Sequence, residues 1–255
     1  MRHSGRKRSK GFFPIVMKSN CKIVFNKIWE NALDCIFPKE CYDCGKEGEY
    51  LCPSCFDNIQ LIENFPCFFC NEPGHDRGVC PACSAGTQID RAIVATTYLN
   101  NLTGKLVEEF KYNFVEDLKN ILVKILQRQI DRRQLAGVFW NHVLLPIPLH
   151  KKRLAERGFN QSAELAKGLQ IKYNCTVDEG LLKRTKNTSQ QAKLNREQRL
   201  DNLQNAFIFN LKKQPPDRVI LLDDVLTTGA TFCEAAKILK ERGVKEVICL
   251  AICHG

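Results

Sequence analysis

From residue 90 onward the chain alternates unbroken apolar runs with stretches whose apolar residues recur every three or four positions. The unbroken runs at 92–97, 143–147, 218–222 and 247–253 predict strands buried on both faces. Helical spacing marks 102–130, through Leu102, Leu106, Phe110, Leu118, Leu122, Ile125 and Leu126, and also 159–171. Gly229 is placed to open a further helix and Gly243 to close it. This alternation predicts an α/β fold with a mostly parallel sheet covered on both faces. Upstream, Ile23, Ile28, Trp29, Ala32, Leu33 and Ile36 predict one amphipathic helix over 22–37.

Between these regions the periodicity stops and cysteines take over. Cys41/Cys44, Cys52/Cys55, Cys67/Cys70 and Cys80/Cys83 form four Cys-x-x-Cys pairs. A single such pair is shared with redox motifs, but four in series fit two tetrahedral thiolate shells around zinc. Chain order predicts one zinc on the first two pairs and one on the last two; a crossed pairing satisfies the spacing equally. With four sulfurs each, both sites leave no open position and are expected to be structural. A segment this poor in aliphatic residues needs such a staple to fold. The expected organisation is a basic, disordered extension over 1–21, a helix plus double zinc-ribbon module over 22–89, and the α/β domain over 90–255.

Composition sets the class: 44% of the 255 residues are hydrophobic and 26% charged, as in a globular chain. No apolar run reaches the roughly 18–20 residues needed to cross a bilayer. The basic start (Arg2, Arg6, Arg8) leads into an apolar stretch cut by Pro14, too short for a signal core, so a cytoplasmic protein without membrane insertion is expected. The net charge of +10 is uneven: 41–90 holds eight acids against Lys46 and Arg77, whereas 151–200 carries +7. Phosphate backbones are bound by Lys and Arg, so the acidic zinc module reads as a cap or protein-docking surface and not as a DNA-binding finger.

The stretch that carries chemistry is Val219-Ile-Leu-Leu-Asp223-Asp224-Val-Leu-Thr227-Thr228-Gly229-Ala230-Thr231. Apolar residues lead into two adjacent carboxylates, then into a hydroxyl-rich loop that opens a helix. At the carboxyl end of a parallel strand such a loop lies where open α/β sheets bind ligands. The free N–H groups of the helix start favour a phosphate. Nearby carboxylates call for ligand hydroxyls or a metal, and a ribose 5-phosphate answers both. The magnesium-holding strand of nucleoside triphosphatases also ends in acids, but that fold needs Gly-x-x-x-x-Gly-Lys-Ser/Thr, which is absent. A plain helix cap explains one carboxylate or one threonine, not two and three together.

This stretch is similar to the phosphoribosyl-pyrophosphate loop of type I phosphoribosyltransferases. The chain further resembles one branch, the ComF family of competence-associated proteins, at Leu145-Pro146-Ile147-Pro148 with Arg153, Arg157, Gly158, Phe159, Asn160 and Gln161. A third block holds Arg184, Thr188, Gln191, Leu194, Arg199, Asn202 and Phe207. The zinc module ahead of these blocks fits the same family, and the resemblance covers roughly residues 22–255. It implies that Asp223 and Asp224 meet the ribose hydroxyls, with magnesium bridging these and the pyrophosphate. Thr227, Thr228, Gly229, Ala230 and Thr231 would cradle the 5′-phosphate, and Lys151, Arg153 and Arg157, on the loop after Pro148, would lie near the pyrophosphate. Arg184 would be the chief cation of a loop over 183–199 that closes on the ligand. Two activities stand side by side: pentosyl transfer from phosphoribosyl pyrophosphate to an acceptor, and a non-catalytic role in sensing that ligand or handling single-stranded DNA. A competence helicase, or another protein docking on the acidic zinc module, is the protein partner this resemblance implies.

Overall fold

The structure, a computed structural model, describes residues 38–98, 101–112, 116–187 and 205–255. The 22–37 helix expected above, and residues 188–199 of the closing loop, lie outside these.

Two short helices open the described chain, α1 (Pro53–Asp57) and α2 (Pro81–Thr87), each with proline in its first turn and a cysteine, Cys52 or Cys80, as N-cap. Proline suits that position, where its missing N–H is not needed. Next come β1 (Arg91–Thr97), α3 (Asn101–Tyr112), α4 (Glu116–Arg132), β2 (Val143–Pro146), α5 (Lys151–Arg157) and α6 (Gln161–Tyr173). The chain continues with β3 (Thr176–Val177), β4 (Leu182–Arg184), β5 (Phe207–Phe209), β6 (Arg218–Leu226), α7 (Ala230–Glu241) and β7 (Glu246–His254). Among the described residues one five-stranded sheet has the order β1-β7-β6-β2-β3, every pair parallel, while β4 and β5 form a separate antiparallel pair. In β7 the residues from Val247 to Cys253 are all buried, as a strand covered on both faces requires.

The connections place the site. The β2–α6–β3 crossover runs toward one edge of the sheet and β6–α7–β7 toward the other. Parallel crossovers are right-handed, so α6 and α7 lie on opposite faces. The chain therefore parts between β2 and β6, and the crevice beyond their carboxyl ends is the expected ligand site. Pairing between these strands runs from Val143 with Val219 to Pro146 with Leu222. On its other side β6 pairs with β7 as far as Leu226 with His254. Asp223 to Leu226 thus stay in strand while lacking a β2 partner.

The helical spacing over 102–130 is borne by α3 and α4. Two expectations are corrected. The strand expected to end at Leu222 continues to Leu226, so both aspartates lie within it. The segment after Pro148, expected as a loop, is helical over Lys151–Arg157.

The cysteine-rich segment shares its core with the sheet. Ile62 N–H donates to the Ala95 carbonyl (2.9 Å) and Ala92 N–H to that of Arg77 (2.8 Å), so it covers the free edge of β1. From α4, Gln129 Nε2 donates to the carbonyls of Ile62 (2.8 Å) and Val94 (3.1 Å), and Arg128 to those of Phe56 and Asp57. Arg133 stacks its guanidinium 3.8 Å from the Phe65 ring centroid.

Candidate functional site

The metal-type centres follow chain order. The sulfurs of Cys41, Cys44, Cys52 and Cys55 gather within 4.8 Å of one another, as do those of Cys67, Cys70, Cys80 and Cys83. Sγ of Cys44 lies 3.7 Å from that of Cys52, and Sγ of Cys70 lies 3.8 Å from that of Cys80. Four sulfurs at Zn–S of about 2.3 Å form a tetrahedron with edges of about 3.8 Å, so the donor set fits zinc in chemistry and in size. Backbone N–H groups point at the sulfurs, Cys52 N–H to Cys41 (3.5 Å) and Cys83 N–H to Cys80 (3.4 Å), and favour the thiolate form that binds metal.

At the sheet crevice, Asp223 and Asp224 face different surroundings. Asp224 is buried, 5% exposed, and its Oδ2 meets Lys111 Nζ at 3.3 Å and accepts from Gln161 Nε2 at 3.2 Å. Asp223 is half-buried; its Oδ1 accepts from Ser162 Oγ (2.8 Å) and from the Asp224 N–H (3.0 Å). Burial, and after it the charge of Asp224, push the Asp223 carboxyl up to about 6, against the lowering effect of Ser162, the Asp224 N–H and Lys111. Asp224 is thus paired with a cation inside the protein, whereas Asp223 has no such direct partner among the described residues, and ligand hydroxyls or a cation would stabilise its charged form. Two such oxygen donors fit magnesium held partly by substrate, because that ion binds through one or two carboxylates plus phosphates.

The cations approach from α5 and β4. Burial lowers the pKa of Arg184; Asp223 opposes this and Arg153 adds to it. Burial and then Arg157 lower that of Arg153, against Glu156 and Tyr112. The three arginines therefore share one electrostatic neighbourhood with Asp223, in which an arriving anion would relieve their repulsion. Arg157 Nη1 is out of solvent and has no hydrogen-bond partner among the described residues, and Arg184 lies over the Phe207 ring at 5.5 Å. Lys151 is exposed on the first turn of α5.

The hydroxyl loop joins β6 to α7. Gly229 caps α7 with φ 75°, a left-handed conformation that glycine adopts without strain. Thr228 Oγ1 accepts weakly from Ala230 N–H at 3.5 Å, Thr227 is exposed, Thr231 is half-buried and Ala230 is buried. The first N–H groups of a helix have no partner within it, so this start offers donors to an anion.

Three residues at the carboxylates carried no role in the sequence reading. Gln161, at the start of α6, is visible only as the last residue of a motif, and Ser162 after it leaves no signal. Lys111 left a fainter mark: it falls four residues after buried Val107 and eight after buried Thr103, on the inward face of α3. A lysine on a buried stripe needs a charged partner.

Residues 154–255 match the phosphoribosyl transferase domain family. Among curated proteins the chain is similar to competence protein F of Haemophilus influenzae, 27% identical over 216 residues that cover 78% of this chain and 94% of that protein. DNA utilization protein YhgH of Escherichia coli is 27% identical over 220 residues, 74% of this chain and 96% of that one. Competence protein ComFC of Bacillus subtilis is 30% identical over 207 residues, 78% and 81% respectively. With the tetracysteine clusters, the parallel sheet and these matches in place, the chain belongs to the ComF family, a phosphoribosyl transferase domain preceded by two zinc-type ribbons.

Proposed function

We propose that the crevice beyond β2 and β6 binds phosphoribosyl pyrophosphate with magnesium, and that the protein uses this ligand in the handling of DNA during competence. The observation that carries the reading is the asymmetry of the two carboxylates: Asp224 compensated by Lys111, Asp223 left with a raised pKa beside a hydroxyl loop and an arginine cluster. A ribose phosphate bearing a diphosphate answers each part.

In this reading Asp223 accepts hydrogen bonds from the ribose hydroxyls. Asp224, held by Lys111 and Gln161, keeps the strand end in place and polarises its neighbour. Residues 227–231 hold the 5′-phosphate through the free N–H groups of α7 and the threonine hydroxyls. Asp223, together with ligand oxygens, would hold magnesium, which would supply positive charge against the pyrophosphate. Cleavage at the anomeric carbon would leave positive charge on the sugar and negative charge on pyrophosphate. Arg153, Arg157 and Arg184 are the groups that would stabilise the departing anion. Pentosyl transfer is the reaction this arrangement suits. The two ribbons are read as holding structural zinc, with four sulfurs each.

A second reading, single-stranded DNA as a ligand, draws on exposed Lys151 and Lys152 beside the arginines and on relatives named for competence and DNA utilization. The two are separated by titrating the protein with phosphoribosyl pyrophosphate plus magnesium, and then with a single-stranded oligonucleotide over a range of salt. Tight binding of the small ligand that falls only mildly with salt supports the proposal. Binding of the oligonucleotide alone, falling steeply with salt, replaces it with the second reading.

A further inference from the structure

The two ribbons are built alike. The residue after the second cysteine of each lies in the left-handed region, Gly45 at φ 72° and Asn71 at φ 65°. Each donates back to the first cysteine, Gly45 N–H to Cys41 O (2.9 Å) and Asn71 N–H to Cys67 O (2.7 Å). Cys41 N–H donates to Lys46 O and Cys67 N–H to Glu72 O in the same register. By this correspondence Tyr42 and Asp43 at the first tip answer to Phe68 and Phe69 at the second. Their surroundings differ. Asp43 is exposed and Tyr42 half-buried against Tyr50, whereas Phe68 and Phe69 are 2% and 5% exposed.

Both phenylalanines meet the elements that carry the hydroxyl loop. The Phe68 carbonyl lies 3.1 Å from His254 Nε2, and the two rings are 5.1 Å apart. His254 is the register partner of Leu226, the last residue of β6, and Gly255 N–H donates to the Leu226 carbonyl (3.1 Å). Phe69 lies against the loop itself: a Cβ on Gly229 would sit 2.7 Å from Phe69 Cδ1 and closer still to Cε1. The ring therefore rests directly on loop backbone at the residue that caps α7.

We propose that the second ribbon is the support of this loop, with Phe69 a positioning residue that fixes Gly229 before any ligand arrives. The proposal deepens the reading of 227–231 as a phosphate cradle and rests on it for the effect on ligand. A tip locked between metal-bound cysteines is stiff, and a preorganised loop binds more tightly than one that must be ordered on binding. The second metal site, and not the first, is thereby linked to phosphate affinity.

The test uses the full chain with Phe69→Ala, Phe69→Leu and, at the matching position of the first tip, Asp43→Ala, with zinc per chain measured for each. Amide hydrogen exchange over residues 226–232 is read without ligand, and affinity for phosphoribosyl pyrophosphate with magnesium is read separately. Expected are faster exchange in Phe69→Ala, near wild-type exchange in Phe69→Leu and Asp43→Ala, and about tenfold weaker binding by Phe69→Ala. Unchanged exchange in a zinc-replete Phe69→Ala overturns the proposal. If that variant loses its zinc, a zinc-replete Phe69→Val, apolar but too short to reach Gly229, decides: faster exchange over 226–232 supports the brace, and unchanged exchange overturns it. A wild-type protein that binds no phosphoribosyl pyrophosphate removes the cradle reading, while the exchange result still decides whether Phe69 braces the loop.

Discussion

Lys111 and Asp224 meet at 3.3 Å with no more than a tenth of either side chain exposed, and Gln161 supplies the carboxylate with a second donor. The pair joins the end of α3 to the strand that carries the site. Removing one member of such a pair leaves the other charge buried and alone, which costs about 3–5 kcal/mol. Asp224→Asn is expected to lose that much in urea denaturation, and Lys111→Met added to it is expected to recover part. A loss below about 1 kcal/mol would mean that the pair does not hold this corner.

Asp223 is expected to behave in the opposite way. Its folded pKa of about 6 lies above the ordinary 3.8, because burial and Asp224 disfavour the ion. The folded state therefore holds the proton more firmly than the unfolded one. The stability this contributes is full below pH 3.8 and is lost as pH rises through about 6. Asp223→Asn, whose side-chain oxygen can still accept from Ser162, is expected to raise the melting temperature of the ligand-free protein by about 2–8 °C at pH 7.5. The gain should vanish near pH 4. Equal melting temperatures at pH 7.5 would contradict a destabilised carboxylate.

The ribbons are expected to differ in what they hold up. Metal analysis of protein purified without chelators is expected to return two zinc ions per chain. The second ribbon packs three rings, Phe65, Phe68 and Phe69, into the shared core, whereas the first contributes the smaller Leu51 and Ile59 together with polar contacts such as Lys39 with Asp117 (3.0 Å). Cys80→Ser should therefore lower the melting temperature more than Cys52→Ser. The reverse order would argue that the first ribbon carries the attachment.

Lys152 separates the two ligand readings. It is exposed on α5 beside the arginine cluster. If single-stranded DNA runs over this surface, Lys152→Ala should reduce the salt slope of oligonucleotide binding by about one. Affinity for phosphoribosyl pyrophosphate should change less than about twofold, because one screened surface charge contributes little to a compact ligand. An unchanged salt slope would take DNA off this helix.

What the chain disclosed and what it hid have physical causes. Strands such as β7, covered on both faces, are written as unbroken apolar runs, and the tetracysteine clusters are written as spacing. The strands β3, β4 and β5 are two or three residues long and carry no periodicity, so they surface only through tertiary pairing. The extension of β6 to Leu226 was hidden because two acids look like a strand end, and only the Lys111 and Ser162 contacts make them tenable inside one. Phe69 was hidden for another reason. Between Cys67 and Cys70 it reads as filler, and its contact with Gly229 spans 160 positions of chain.

The central claim is that Asp223 and the loop at 227–231 receive a ribose-borne phosphate, and calorimetric titration with phosphoribosyl pyrophosphate at pH 7.5 tests it most directly. Wild type is expected to bind with a magnesium-dependent affinity. Folded Asp223→Asn is expected to lose at least about tenfold, the loss of one hydrogen-bonded charge. Equal binding by wild type and Asp223→Asn, or wild-type binding indifferent to magnesium, would contradict the account.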